Sequence, residues 1–261
     1  MRNGPKRSVA EGHRLDSCAA RHVRILPRIL GLGAGSDVRR GATIAARRRR
    51  GPGELGGIKR VHVGCGPHNL LETWWNVDLR DFRGVDEVMD ATQPWPWSDL
   101  DYVYGEHFVE HLRLDQAMEF LGHAGSSLRG GGALRLSTPN LDWVLHTHYR
   151  RSAVDERQRV FDTIRMNRAF HGWGHRFLYS DEMLRFLVLE MGFVDVRFCR
   201  YGESEDPDLR GLERHGNYSV ADGKPSVVIV EASRGEKPIV PSPELATLVE
   251  DEFLRYVRSG H

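Results

Sequence analysis

Short apolar runs alternate with glycine-bearing polar turns over the middle third of this chain, and the spacing then switches once to a helical period. Lys59–Val63, Trp75–Leu79, Val85–Met89 and Leu100–Tyr104 read as four strands, each of strand length and each closed by polar or glycine residues. Leu114, Ala117, Met118, Leu121 and Leu128 recur at helical spacing, which predicts a helix over Leu112–Leu128. The run Arg129-Gly130-Gly131-Gly132 stops it. Ala133–Ser137 is a fifth strand, ended by Thr138-Pro139-Asn140. Strands separated by helical or loop segments predict a doubly wound α/β sheet of parallel strands, with its ligand beyond the strands' carboxyl ends. Those ends are Gly64, Asp78, Asp90, Glu106 and Ser137, polar or glycine where the strand interiors are apolar.

After Asn140 the pattern changes. Leu141–Ala169 reads as mostly helical and is rich in Arg and His, followed by the loop His171-Gly172-Trp173-Gly174-His175. Ser180 is a good N-cap for a helix that runs to Met191 and stops at Gly192, although Met183 stands where a full capping box has Glu. Val194–Tyr201 and Ser226–Ala232 read as two final strands, with the charged stretch Gly202–Gly223 between them as a loop or mobile hairpin. Pro238–Pro243 reads as a linker and Glu244–Val257 as a terminal amphipathic helix. The expected organisation is a basic arm and linker over residues 1–57, a domain over 58–235 in which 141–179 caps the substrate side, and a C-terminal linker and helix over 236–261.

Charge changes the picture at the N-terminus. The chain of 261 residues has a net charge of +1, yet residues 1–50 hold 13 Lys and Arg against 3 Asp and Glu, ending in Arg47-Arg48-Arg49-Arg50. A block of like charge in a Gly-, Arg- and Ala-rich context predicts a disordered basic arm, with only Val23–Leu26 looking briefly structured. Contact with nucleic acid or another acidic surface is the alternative use of such an arm. The arm lacks the apolar stretch of a secretory signal and is poorly amphipathic for a transit peptide. Gly51–Gly57 is rich in breakers and marks the boundary. No apolar run reaches the length of a membrane span, so no membrane contact is expected. Cys18, Cys65 and Cys199 lie far apart with no CxxC pair, which argues against a zinc ribbon or disulfide framework and for a reducing, cytoplasmic setting.

The chemistry concentrates at Gly64-Cys65-Gly66-Pro67 and at Asp78, 14 residues after Gly64. Two close glycines at a strand end let a backbone approach a ligand, and an acidic residue at the next strand end can accept hydrogen bonds from ribose hydroxyls. The dinucleotide fingerprint fails at its third glycine, which is Asn69, and its acidic residue is due about 20 residues on, so NAD is disfavoured. No phosphate-binding GxxxxGK[ST] motif is present.

Together with Asp90-Ala91-Thr92, Glu106-His107-Phe108-Val109-Glu110-His111-Leu112, Leu128–Leu134 and Leu136-Ser137-Thr138-Pro139-Asn140, these segments resemble class I S-adenosylmethionine-dependent methyltransferases of the type 11-like group. The order and spacing match over about residues 58–140 and more loosely to 232. The resemblance implies a Rossmann-like seven-stranded sheet whose last strand is antiparallel, and S-adenosylmethionine as cofactor. It also implies that Gly64, Cys65 and Gly66 border the methionine part, that Asp78 followed by Leu79 holds the ribose, and that Asp90 and Ala91 read the adenine. Glu106 and His107 would lie near the sulfonium. Carboxylates suit a cationic sulfur, and an adenine ring suits an apolar pocket with a few directed polar groups. One departure stands out. Only 11 residues separate Gly66 from Asp78, too few for a full first helix and a strand, so that helix is expected to shrink to a turn through Pro67–Thr73. Gly130 stands where the family usually has proline.

Methyl transfer asks the protein to align a nucleophile and exclude water, with a general base where the acceptor is a hydroxyl. The candidate bases are His107, His111, His146, His148, His171 and His175, of which His107, His171 and His175 are the catalytic candidates. His107 and His111 are four apart and could share one face, but no third ligand is evident in sequence, so no metal is expected, and Glu110-His111 is expected to tie a loop to the helix. The glycines beside Trp173 allow a mobile lid in which the ring stacks on a substrate, or a turn whose tryptophan plugs the core. Trp74-Trp75 and Trp95-Pro96-Trp97 are expected to pack in the core and its rim. Arg150, Arg151, Arg157, Arg159, Arg165, Arg168 and Arg176 suit an anionic acceptor or a solvated face. The expected activity is methylation of an oxygen or nitrogen of a small molecule, such as a saccharide or other metabolite. The alternatives are an RNA methyltransferase that uses the arm, and a non-catalytic cofactor-binding partner subunit. The oligomeric state is not legible in the sequence.

Overall fold

The computed structural model describes residues 59–149, 155–215 and 218–259, together with Gly57. The basic arm, most of the linker, and Arg150 and Arg151 lie outside the described residues. The strands are β1 (Arg60–Val63), β2 (Trp75–Asp78), β3 (Glu87–Val88), β4 (Leu100–Glu106), β5 (Leu128–Pro139), β6 (Phe193–Phe198), the two-residue β7 (Val220–Ala221) and β8 (Lys224–Pro225), and β9 (Val227–Arg234). The helices are α1 (Leu114–Ser127), α2 (Leu141–His148), α3 (Glu156–His171), α4 (Asp181–Glu190), α5 (Pro243–Val249) and α6 (Arg255–Ser259), with a π turn at Glu250–Leu254 between the last two.

Seven strands form one sheet in the order β3-β2-β1-β4-β5-β9-β6. The pairs from β3 to β5 are parallel, and β9 is antiparallel to both β5 and β6. This is the Rossmann-like α/β sheet with an antiparallel last strand. From β1 the chain winds outward to β2 and β3, then returns to the other side of β1 as β4. The switch point is therefore between the carboxyl ends of β1 and β4, where such sheets leave a crevice.

Strand alternation sorts the side chains onto two unlike faces. One face carries Val61, Val63, Val77, Val103, Leu134, Leu136, Val228 and Val230. It is buried against Ala117, Phe120, Leu121 and Ala124 of α1 and Leu184, Leu187 and Val188 of α4. The C-terminal segment belongs to this core as well. Ile239 packs so closely on Gly125 that a Cβ there would lie 2.5 Å from Ile239 Cγ1, and Leu245 and Val249 of α5 are buried. Trp75, Trp95 and Trp97 pack in or against the same core, as expected.

The other face carries a polar row. Cross-strand register aligns Asn76, His62, Tyr104, Arg135, Glu231 and Arg197 on five neighbouring strands and the last one. No described helix covers this row. Residues 199–215 cross it as a strap, with Leu209 and Leu212 buried against Leu71, Trp74 and Tyr104. Arg135 is fully buried and donates from Nε and Nη2 to the two carboxylate oxygens of Glu213, at 2.7 and 2.8 Å. It also donates from Nη1 to Glu231, whose second oxygen accepts from Arg197 Nε at 3.0 Å. Two guanidiniums thus meet two carboxylates, which is how a buried charge is tolerated. The described residues of Gly202–Gly223 are a loop, as expected, but one anchored across the sheet by Glu213, Leu209 and Leu212, and β7 and β8 form a small hairpin at its end.

Other differences are local. The expected strand Val85–Met89 keeps two paired residues, because β3 is an edge strand with only β2 to bond. The glycine run after α1 does not simply end a helix; β5 pairs from Leu128 onward, with a register shift opposite Leu100–Tyr102 and Gly131 at φ +74°. The helical stretch after Asn140 is two helices, α2 capped by Asn140 and α3 capped by Asp155. The turn through Pro67–Thr73 is present in place of a first helix. Buried Asn76 holds it, accepting from Leu71 N at 2.9 Å and donating to the Leu71 and Trp74 carbonyls.

Candidate active site

β1 and β2 end side by side. Gly64 and Gly66 both have positive φ, +62° and +57°. A Cβ on Gly64 would lie 2.4 Å from Phe108 Cδ2, whereas nothing lies within 4 Å of one on Gly66. The first glycine is required by packing, and the second leaves open space above the turn. Gly64→Ala is expected to lower the unfolding free energy by about 1–3 kcal/mol, from the left-handed backbone and the overlap with Phe108. A urea titration measures it, and an unchanged midpoint would contradict this packing. Buried Cys65 is tied through its amide to the Val77 carbonyl, and burial followed by the nearby Asp78 charge pushes its thiol up to about 12, so it is no nucleophile.

Asp78 is nearly buried and crosses from β2 to the glycine turn. Its Oδ2 accepts from Gly66 N at 3.0 Å, and its Oδ1 accepts from Arg80 N at 3.0 Å and Arg80 Nε at 3.2 Å. The Arg80 side chain is 70 % exposed, so that ion pair is weakly held. A carboxylate has about four lone-pair sites, so Asp78 keeps capacity toward the open side. Leu79 beside it is 69 % exposed. Asp90 is exposed and accepts from Thr92 N and Oγ1, while Ala91 is buried and its carbonyl accepts from Trp95 Nε1.

The carboxyl end of β4 faces β1 across the switch point. Glu106 is buried, and its Oε1 accepts from the amides of Arg214 and His215 at 2.8 and 3.0 Å. It therefore anchors the end of the strap, leaving Oε2 buried without a hydrogen-bond partner. His107 has φ +47°, a costly backbone for a non-glycine residue and a frequent one at functional sites. Its ring stacks on His215 with centroids 3.7 Å apart. Nδ1 lies 3.1 Å from Glu110 Oε1, and Nε2 is buried without a partner.

Glu110 is fully buried and accepts from Thr138 Oγ1 through Oε2 at 3.0 Å. Burial pushes its carboxyl up, but the adjacent His107 outweighs this and holds it below the usual range. The Glu110 carbonyl accepts from the amides of Arg176 and Phe177, which brings the loop after α3 against this turn. There His175 meets His111 with ring centroids 5.2 Å apart. Burial, followed by lesser influences, holds His175 and His215 below the ordinary histidine value, so both rings are neutral at pH 7.

The structure thus brings together His107, His111 and His175 from the expected candidates. His171 does not join them: it ends α3 with an exposed side chain whose ring neighbour is Phe170. His148 packs on Trp143 of α2, and His146 lies 3.8 Å from Asp222. Trp173 does not plug the core. It is 58 % exposed, with Arg168 over its face and the tilted His175 ring 5.7 Å away between centroids. Sequence reasoning missed His215, Glu213 and Thr138. The first two sit in a charged segment without period, and their partners Glu106 and Arg135 lie 109 and 78 residues upstream. Thr138 was legible only as the end of a strand.

No protein-family model and no curated protein matches the chain. Among solved structures it is similar to an S-adenosylmethionine-dependent methyltransferase from Archaeoglobus fulgidus, at 20 % identity over 69 % of this chain and 88 % of that one, with a TM-score of 0.43. It is similar at the same TM-score to one from Mesorhizobium loti, at 16 % identity over 69 % and 93 % of the two chains. A third is phosphoethanolamine N-methyltransferase 2 from Haemonchus contortus, at 13 % identity over 69 % of this chain and 49 % of that one, with a TM-score of 0.43.

Proposed function

We propose that the chain is an S-adenosylmethionine-dependent methyltransferase that methylates an oxygen or nitrogen of a small-molecule acceptor. The observation that carries this reading is the Gly66–Asp78 hydrogen bond at neighbouring strand ends beside the switch point, with open space over Gly66. The donor and acceptor set fits the cofactor. Asp78 would offer lone pairs to the ribose hydroxyls once Arg80 yields, the glycine turn would border the methionine part, and Asp90 with the Ala91 amide would hold the adenine. Glu106 contributes negative charge near a sulfonium rather than a free ligand, since its Oε1 is already held by the strap. A cytoplasmic setting is part of the same reading, and the unbridged Cys65 and Cys199 support it.

When bound, the cofactor supplies a methyl group on a cationic sulfur. The chain aligns the acceptor and takes its proton. His107 suits the role of proton acceptor, because Glu110 beside Nδ1 favours the tautomer with the hydrogen there and Nε2 is left as the basic atom. The stacked His215 fixes the ring's plane. Trp173 and His175 form the outer wall, where an indole face favours a flat or saccharide acceptor.

Calorimetry with S-adenosylmethionine and with its demethylated product tests the reading. Asp78→Ala is expected to weaken binding of both by about 1–3 kcal/mol, the size of charge-assisted hydrogen bonds. No heat with either compound would remove the enzyme assignment and favour a non-catalytic partner subunit. A tritium-transfer screen against metabolite pools identifies the acceptor.

A further inference from the structure

We propose that Glu110, His111 and His175 form a divalent-cation site, for which zinc(II) is the best-matched ion. One ligand atom from each of the three lies within 4.8 Å of the others. The residues come from two segments, the turn after β4 and the loop after α3, and the backbone clamps them together. Arg176 N and Phe177 N donate to the Glu110 carbonyl at 2.7 and 3.2 Å.

Each imidazole is held by a backbone carbonyl through Nδ1. His175 Nδ1 lies 2.7 Å from the Ala169 carbonyl and His111 Nδ1 lies 3.3 Å from the Gly174 carbonyl. A carbonyl oxygen only accepts, so each Nδ1 carries the hydrogen and each Nε2 holds the lone pair. Outer contacts of this kind fix the tautomer of metal-binding histidines.

The carboxylate supplies a second, independent pointer. Glu110 is fully buried, and its Oε1 makes no aligned hydrogen bond although His107 Nδ1 lies 3.1 Å away. Its Oε2 uses one lone pair on Thr138, so the group retains acceptor capacity. A buried carboxylate oxygen without an aligned donor can serve as a metal ligand. The neighbours of Glu110 are His107, His111 and His175. Two imidazoles and one carboxylate make a borderline donor set, which suits zinc over magnesium or calcium. Three protein ligands are also the number that leaves zinc an open fourth position. On the methyltransferase reading, that position would orient an oxygen or nitrogen of the acceptor beside His107.

The test uses the full chain, free of any affinity tag and stripped with a chelator. Zinc(II) is titrated by calorimetry, and cobalt(II) by its visible absorption. One equivalent is expected to bind, with cobalt bands typical of four- or five-coordinate nitrogen and oxygen ligation. His111→Ala and His175→Ala, both at partly exposed positions, are expected to lose at least about tenfold in affinity. His123→Ala on α1 is expected to change nothing. Glu110→Gln should behave like the two histidine variants, and circular dichroism checks that it folds. Absence of stoichiometric uptake, or uptake unchanged in the His111→Ala/His175→Ala double variant, would overturn the proposal and leave the His107–Glu110 contact as the account of the buried carboxylate. The outcome is separable from the methyltransferase reading. Zinc uptake without cofactor heat sinks that reading alone, and cofactor heat without zinc uptake sinks this one alone.

Discussion

Arg135→Met lowers the unfolding free energy by about 3–5 kcal/mol, the usual cost of removing one partner from a buried ionic cluster. The guanidinium has no solvent exposure and satisfies Glu213 through two parallel bonds, Glu231 through a third, and the Glu203 carbonyl through a fourth, at 3.1 Å. Methionine fills most of the volume but leaves Glu213 buried with no countercharge. Glu231 keeps Arg197. The loss therefore falls on the strap, whose Glu213 also accepts from Gly202 N and whose end carries the two amides bound by Glu106. Urea unfolding reports the stability, and proteolysis within 199–215 reports the loosened strap. Arg135→Met combined with Glu213→Leu recovers most of the loss, because Glu231 keeps Arg197 and no carboxylate is left buried without a countercharge. A single variant as stable as the parent would show that the cluster does not hold the strap.

Acidification from pH 6.5 to pH 4 costs up to about 3 kcal/mol of stability through His62 alone. Burial is the main cause of its lowered pKa, about 4 against the ordinary 6.5; the hydrogen bond with Asn76 opposes the shift, and the Arg214 charge adds to it. Below pH 6.5 the unfolded chain takes up a proton that the folded one refuses. The contribution is therefore complete above 6.5 and falls away as pH drops toward 4. His148, His175 and His215, held low mainly by burial, act in the same direction. His62→Phe keeps a ring against Tyr104, which lies at a 5.0 Å centroid distance from the imidazole. Urea midpoints measured at several pH values should fall less steeply with acid in that variant. Parallel slopes for the two proteins would place the titration elsewhere.

Both effects arise on the face of the sheet that local pattern describes least. The apolar face was legible because each strand alternates and α1 and α4 repeat at helical spacing. Val61, Val63, Leu134 and Leu136 declare a core without knowing their partners. The glycine turn, Asp78 and the shortened connection after Gly66 were equally legible, since a strand end, a positive φ and a chain length are local properties. The site histidines were legible only as a pool. His107, His111 and His171 are equally polar in sequence, and the first two were separated from the third by the clamp between the Glu110 carbonyl and Arg176–Phe177.

What the chain determined by itself is the alternating sheet, its single apolar face and the glycine–aspartate edge, because these follow from periods of two and 3.6 residues and from backbone sterics. Only the tertiary structure decided that Arg135 finds Glu213, that Glu106 binds the strap rather than open space, and that Glu110, His111 and His175 converge. Those contacts join segments 64 to 109 positions apart, and a buried charge chooses its partner by the geometry of the assembled sheet, which no local window of sequence contains.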